Sequence, residues 1–153
     1  MEFFDENLSN LCLSWLGDPV FSIREASAHN IRRLIEVFGL EWAQNTIIPK
    51  ILNFYSHQNY LYRMTTLLAI SALCAVVGAA IIDQTLLPVV IRMASDPVPN
   101  IRFNVCKTLQ IIIKLVDDSI VEKKIKPTLN GLLEDTDNDV KYFASQALST
   151  SAQ

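Results

Sequence analysis

One fixed step, from each position to the thirty-ninth after it, repeats through this chain. Prolines stand on it at Pro49, Pro88 and Pro127, and basic residues at Arg24, Arg63, Arg102 and Lys141. An acid precedes the basic residue by six at Asp18, Asp96 and Asp135, with His57 in that place in the second unit. Apolar columns keep the same step: Leu8, Ile47, Leu86 and Ile125; Ile23, Tyr62, Ile101 and Val140; Ile31, Ile70, Leu109 and Leu148. The 153 residues hold about 3.9 such periods without a gap. Self-similarity at this length means stacked supersecondary units, each unable to bury its apolar face alone.

Each unit reads as two helices. In the third, Leu86, Val89, Val90 and Met93 fall on one helical face. The segment Asp96-Pro97-Val98-Pro99-Asn100 then breaks the helix, because proline lacks a donor and turns the residue before it away from α. A second helix carries Ile101, Val105, Leu109 and Ile112. The short turn between them makes the pair antiparallel. The pattern predicts helices over 5–16, 21–38, 41–55, 60–78, 83–95, 99–116, 119–134 and 138–150. The expected fold is all-α: one α-solenoid segment over 1–153, an armadillo-like superhelix with repeats near 1–40, 41–79, 80–118 and 119–153. The proline within each first helix should kink it. The acid-to-base offset predicts a ladder linking adjacent units through Asp18, Arg24, Arg63, Asp96, Arg102, Asp135 and Lys141.

Composition removes several functions. A formal net charge of −3 gives no basic face for nucleic acid. The run Lys123-Lys124-x-Lys126 lies beside Asp117, Asp118 and Glu122 and reads as a solvated helix face. Cys12, Cys74 and Cys106 are odd in number, far apart and set among apolar residues, as expected of buried thiols in a reducing compartment. The acidic start, Met-Glu-Phe-Phe-Asp-Glu, is wrong for a targeting peptide. Residues 64–82 carry no charge and reach the length of a membrane span. Small residues, Gly78 and the place of this stretch within the repeat favour a helix buried among neighbours, so no membrane is expected.

No chemistry-bearing constellation emerges. Asp135, Asp137 and Asp139 begin like a calcium loop, but Val140 and Gln146 stand where such a loop needs Gly and Glu. A helix cap is the better reading of those acids. His29 and His57 lie in different units, with no metal-ligand spacing around either. Four glycines leave no phosphate cradle. No enzyme, metal or cofactor is expected. What remains is a binding surface. The turn positions carry Val20 and Phe21, Asn59, Tyr60 and Leu61, and Val98 and Pro99, where polar residues are usual; the fourth turn has Asp137 and Asn138. Such residues suit the anchoring of a partner. Alternatively, Phe21 and Tyr60 staple onto their own helices.

The order proline, acid eight later, then apolar and basic residues thirteen and fourteen later resembles the HEAT repeat. Pro88, Asp96, Ile101 and Arg102 fit it, as do Pro127, Asp135, Val140 and Lys141; unit two departs at His57 and unit one has Asn10 in place of proline. The strings EFFDENL, SIREA, EWAQNTIIPK, NYLYRMTTL, IRMASDPVPNIRFNV and DVKYFA are similar to the last four repeats of the scaffold (A) subunit family of protein phosphatase 2A. The likeness covers nearly the whole chain.

This resemblance implies a non-enzymatic scaffold segment whose intra-repeat turns bind the phosphatase catalytic subunit. Carried over, the contacts fall on Phe21, Tyr60 and Val98, with Leu61 and Pro99 flanking. Phe21 stands where the family more often has tyrosine. Regulatory subunits would engage only N-terminal repeats outside this chain, and the setting would be cytoplasmic, extending to the nucleus. The resemblance also implies a C-terminal piece of a longer array. Ser149, Thr150, Ser151 and Gln153 would cap its end, and Phe3, Phe4, Leu8, Leu11 and Leu13 would leave an apolar N-terminal helix prone to self-association. A transport or assembly adaptor gripping extended peptides on its second helices, near Arg32, Arg33 or Lys107, is the alternative.

Overall fold

The computed structural model describes the backbone of residues 2–151 and the side chains of residues 7–151. The side chains of Phe3 and Phe4, and Gln153, lie outside the described residues. The fold is an all-α solenoid of eight helices in four antiparallel pairs, with no strand among the described residues. The helices are α1 (Glu2–Leu16), α2 (Phe21–Phe38), α3 (40–52, followed by a 3-10 turn at Asn53–Ser56), α4 (Tyr60–Val77), α5 (79–93), α6 (Pro99–Ile113), α7 (118–133) and α8 (Asn138–Thr150).

Two compact units divide the chain, residues 1–76 and 77–153. In the first, Leu16, Ile31, Ile47, Ile51, Leu67, Ile70 and Leu73 are fully buried. In the second the same role falls to Ile82, Leu86, Val90, Ile101, Val105, Leu109, Ile125 and Leu129. Each such side chain contributes about 1.5–3 kcal/mol relative to exposure. A buried hydroxyl ties the first pair together: Ser27 Oγ donates to the Cys12 carbonyl across the α1–α2 seam at 2.6 Å.

The proline-containing helices differ from a simple kink. In α3, α5 and α7 a five-residue π-turn, Ala43–Ile47, Ile82–Leu86 and Val121–Ile125, ends two residues before the proline. The closing bonds run from the N–H of Ile48 to the Ala43 carbonyl, from Leu87 to Ile82, and from Lys126 to Val121, five residues back in each case. The reason is steric. A proline ring collides with the carbonyl four residues before it and offers no N–H in return. Widening the preceding turn by one residue takes that carbonyl out of the way. The first helix is the control: Asn10 replaces the proline, and α1 runs from Glu2 to Leu16 as unbroken α-helix.

Helix α5 starts at Ala79, four residues before the position read from the sequence. The cause is Gly78, whose φ of 83° and ψ of 162° only glycine adopts easily; Gly39 does the same before α3. Gly78 therefore splits the uncharged run 64–82 between two helices. Helix α4 is long and apolar enough to cross a membrane by length and composition, yet Leu67, Ala69, Ile70, Leu73 and Cys74 on it are buried inside the protein. Helix α6 ends at Ile113, three residues early. Lys124 pairs with Asp83, and Lys126 with Glu122.

Candidate partner-binding edge

The turn within each pair is built on one device. The side chain at its first position accepts a hydrogen bond from the backbone N–H two residues on. Asp18 receives Val20 N–H at 2.8 Å, Asp96 receives Val98 at 2.9 Å, and Asp135 receives Asp137 at 2.9 Å. In the second turn His57 Nδ1 does this work, accepting from Asn59 N–H at 3.0 Å. The basic residue six positions later then clamps the turn. Arg24 Nη1 donates to the Asp18 and Pro19 carbonyls, Arg63 to those of His57 and Gln58, and Arg102 to those of Asp96 and Pro97.

Arg102 also reaches a carboxylate in the next pair. Its Nε and Nη2 meet Asp135 Oδ2 and Oδ1 at 2.7 and 3.0 Å, a forked contact with the two side chains 14% and 10% exposed. The hydrogen bond from Arg102 holds the Asp135 carboxyl below its ordinary range, and Asp135 in turn raises the guanidinium. One unit pair earlier, the residue in the place of Asp135 relative to Arg24 is His57, so the repeat offers Arg24 no acid there. Lys141 forms no ion pair among the described residues.

The residue that opens each second helix decides what the turn presents. Val20 (φ −87°, ψ 119°) and Val98 (φ −88°, ψ 118°) occupy the N-cap positions of α2 and α6, and neither side chain can cap. Valine is among the poorest residues there, by about 0.5–2 kcal/mol relative to a good cap. The fourth turn shows the alternative. Asp137 has nearly the same backbone, and its carboxylate accepts from Asp139 and Val140 N–H at 2.9 and 3.1 Å. The acidic cluster is thus a helix cap, and no metal cluster exists among the described residues. In the second turn Asn59 Oδ1 accepts from Leu61 N–H at 3.0 Å.

Beside these caps Phe21 is 58% exposed, Val20 50% and Tyr60 44%. Arg24 lies 5.5 Å from the Phe21 ring centroid, so a clamped cation steadies the ring from one side. The first two turns are neighbours: Gly17 faces the Tyr62 ring, which stacks on His57 at 4.2 Å and on Phe54 at 5.5 Å. In the second unit Pro99 is exposed, while Val98 and, in the first, Leu61 are half-buried. Sequence reasoning passed over Ile23, 39% exposed at the start of α2; its apolar column, buried at Ile101 and Val140, masked it. For the peptide-gripping alternative, Ala26, His29, Asn30, Arg32, Arg33 and Glu36 line a shallow open groove on α2.

Comparison with known proteins places this geometry. Solved structures of Cex1p and of a designed armadillo repeat protein share the fold, with TM-scores of 0.70 and 0.55, each covering 92% of this chain, and 28% and 63% of theirs. Their identities of 16% and 17% carry the fold alone. The protein phosphatase PP2A regulatory (A) subunit of Saccharomyces cerevisiae is 43% identical over 126 residues, 77% of this chain and 20% of its own length. The Schizosaccharomyces pombe protein of that name is 50% identical over 70 residues, 46% of this chain and 12% of its own. The Drosophila melanogaster PP2A 65 kDa regulatory subunit is 53% identical over 57 residues, 37% of this chain and 10% of its own. The chain therefore spans a fifth or less of the length of these relatives. A family model described as "PIK3R4-like, middle domain" matches residues 1–136. The chain belongs to that PIK3R4-like middle-domain family and is a HEAT-repeat homologue of the PP2A regulatory (A) subunit.

Proposed function

We propose that this chain is a non-catalytic scaffold segment that binds the catalytic subunit of a PP2A-type phosphatase through its intra-repeat turns. The observation that carries the reading is the pair of valine N-caps. A helix start gains from an oxygen there, as Asp137 demonstrates in the same molecule. At Val20 and Val98 that gain is forgone for an apolar surface, and at the first turn Phe21 extends it outward. Departures from local preference concentrate where function overrides stability. The relatives' identity as PP2A regulatory subunits supports the choice of partner. On this reading the phosphatase chemistry belongs to the partner, and other regulatory subunits meet repeats outside this chain.

The test is a pull-down of purified phosphatase catalytic subunit by the 153-residue chain. Phe21→Ala combined with Tyr60→Ala should weaken capture by about tenfold or more, since exposed aromatic anchors are worth roughly 1–3 kcal/mol each. Undiminished capture by the folded double variant would remove these residues from the site.

A further inference from the structure

The outer face of α6 carries a pattern that the turn edge does not use. Phe103, Lys107 and Ile111 follow at steps of four on one side of the helix, and Lys114, at its C-cap, stands three residues further on, close to the same side. Ile111 is 41% exposed. Alongside, α8 lays Phe143 against Phe103 with ring centroids 5.4 Å apart, and Tyr142 meets Phe143 edge-on at 5.2 Å. Tyr142 is 58% exposed. Lys107 Nζ bridges the seam, 4.4 Å from the Phe143 centroid and 5.1 Å from that of Phe103.

Neither Lys107 nor Lys114 has a carboxylate partner among the described residues. Single exposed apolar residues need no explanation, but here two rings lie beneath the Lys107 ammonium, Tyr142 adjoins them, and the exposed Ile111 falls between Lys107 and Lys114 in sequence. An incoming carboxylate would displace no resident acid. The spacing selects the shape of the occupant. Seven residues of α-helix separate the lysines by about 10 Å along the axis. An extended strand places same-face side chains roughly 6.6 or 13 Å apart, out of step with that spacing. A second helix repeats its face every seven residues, at the same ~10 Å.

We propose that the α6–α8 face docks an acidic amphipathic helix of a partner protein. Two carboxylates seven residues apart meet Lys107 and Lys114, and the apolar side chains between them cover Ile111 and the Phe103–Phe143–Tyr142 cluster. This surface is independent of the phosphatase reading.

The probe is a synthetic helical peptide of about 18 residues, with two glutamates seven apart and leucines between them, titrated into the 15N-labelled chain. Shifts should map to α6 around Lys107–Lys114 and to the Tyr142–Phe143 turn of α8. Lys107→Glu with Lys114→Glu should weaken binding by at least about tenfold, and a peptide with lysines in place of the glutamates should recover it on that variant. Both lysines are exposed, so the variant should keep its helix content. The proposal fails if charge reversal leaves affinity unchanged. It fails equally if shifts map to the turns at Phe21 and Tyr60, if no binding occurs at millimolar peptide, or if the same residues shift with protein concentration alone, which would make a second copy the occupant.

Discussion

Exchanging the cap residues between turns separates stability from binding. Val20 and Asp137 occupy equivalent positions with nearly the same backbone, φ −87° and ψ 119° against φ −89° and ψ 130°. Val20→Asp should therefore adopt the Asp137 geometry without rearrangement. The new carboxylate would accept from the N–H groups two and three residues on, as Asp137 does at 2.9 and 3.1 Å. A good cap in place of valine is worth about 1 kcal/mol, and a negative charge at a helix start adds roughly 0.3–1 kcal/mol. The like charge of Asp18 two residues earlier opposes this. Asp135 stands in the same relation to Asp137, so that cost is already present in the native fourth turn. Val20 is half-exposed, so little apolar burial is lost. The net expectation is a gain of about 1 kcal/mol, read as a Tm higher by roughly 2–4 °C for a chain of this size. The reciprocal Asp137→Val should lower Tm by a similar amount. On the proposed function, Val20→Asp should also weaken capture of the catalytic subunit while it stabilises the scaffold. If both swaps shift stability in the same direction, valine at the cap carries no local cost, and the argument for a functional edge loses its basis.

Four further outcomes follow. A double-mutant cycle of Arg102→Ala and Asp135→Ala should give a coupling of about 1.5–3 kcal/mol in urea unfolding; because Asp135 ionises below its ordinary value near 3.8, that coupling should hold at neutral pH and fade as pH drops below that value and through its lowered folded value. His57→Asp restores the acid of the other turns opposite Arg24 but removes the ring stacked on Tyr62, so the roughly 0.2–1 kcal/mol of an exposed ion pair should be offset and Tm should change little, with an added sensitivity to salt. Gly17→Ala should destabilise by about 1–3 kcal/mol because its Cβ would sit 2.5 Å from Tyr62 Cε1, whose ring is held between His57 and Phe54; Gly39→Ala, with nothing near its Cβ, should cost a similar 1–3 kcal/mol from backbone strain alone, and relief by Tyr62→Ala should appear only in the first case. Burial pushes the Cys74 and Cys106 thiols up to about 12 and raises that of Cys12, so iodoacetamide at pH 8 should label none of them until urea unfolds the chain.

Helix number and order were legible because prolines and acids punctuate the chain at a fixed step, and because buried columns such as Ile31, Ile70 and Leu109 recur with them. The π-turns were not. The core residues across them, Ile82, Leu86, Val90 and Met93, are spaced four, four and three, the spacing an ordinary helix also produces. Only the absence of a π-turn beside Asn10 ties the feature to proline. The chain start of α5 was hidden for another reason: a glycine with positive φ reads as a breaker, although here it opens the helix. At the edge, apolar turn residues were visible, but exposure was not, and Val98 and Leu61 turn out half-buried. The Phe103–Phe143 contact escaped because the two rings fall one position off the repeat. The acceptor role of His57 depends on turn geometry that no composition encodes.

The widened turns also bear on how this chain can change its length. A turn that closes five residues back holds one residue more than an α-turn. Deleting one residue within 82–86 together with Pro88→Ala, which removes the ring that needs the wider turn, would let that turn close four residues back, so that Leu87, Val90 and Met93 keep facing the interior. The same deletion in the middle of α6, which has no such slack, would rotate every later side chain by about 100° and carry Leu109 and Ile112 out of the core. Length variation among related sequences should therefore gather in the first helix of each pair, together with loss of its proline, and spare the second.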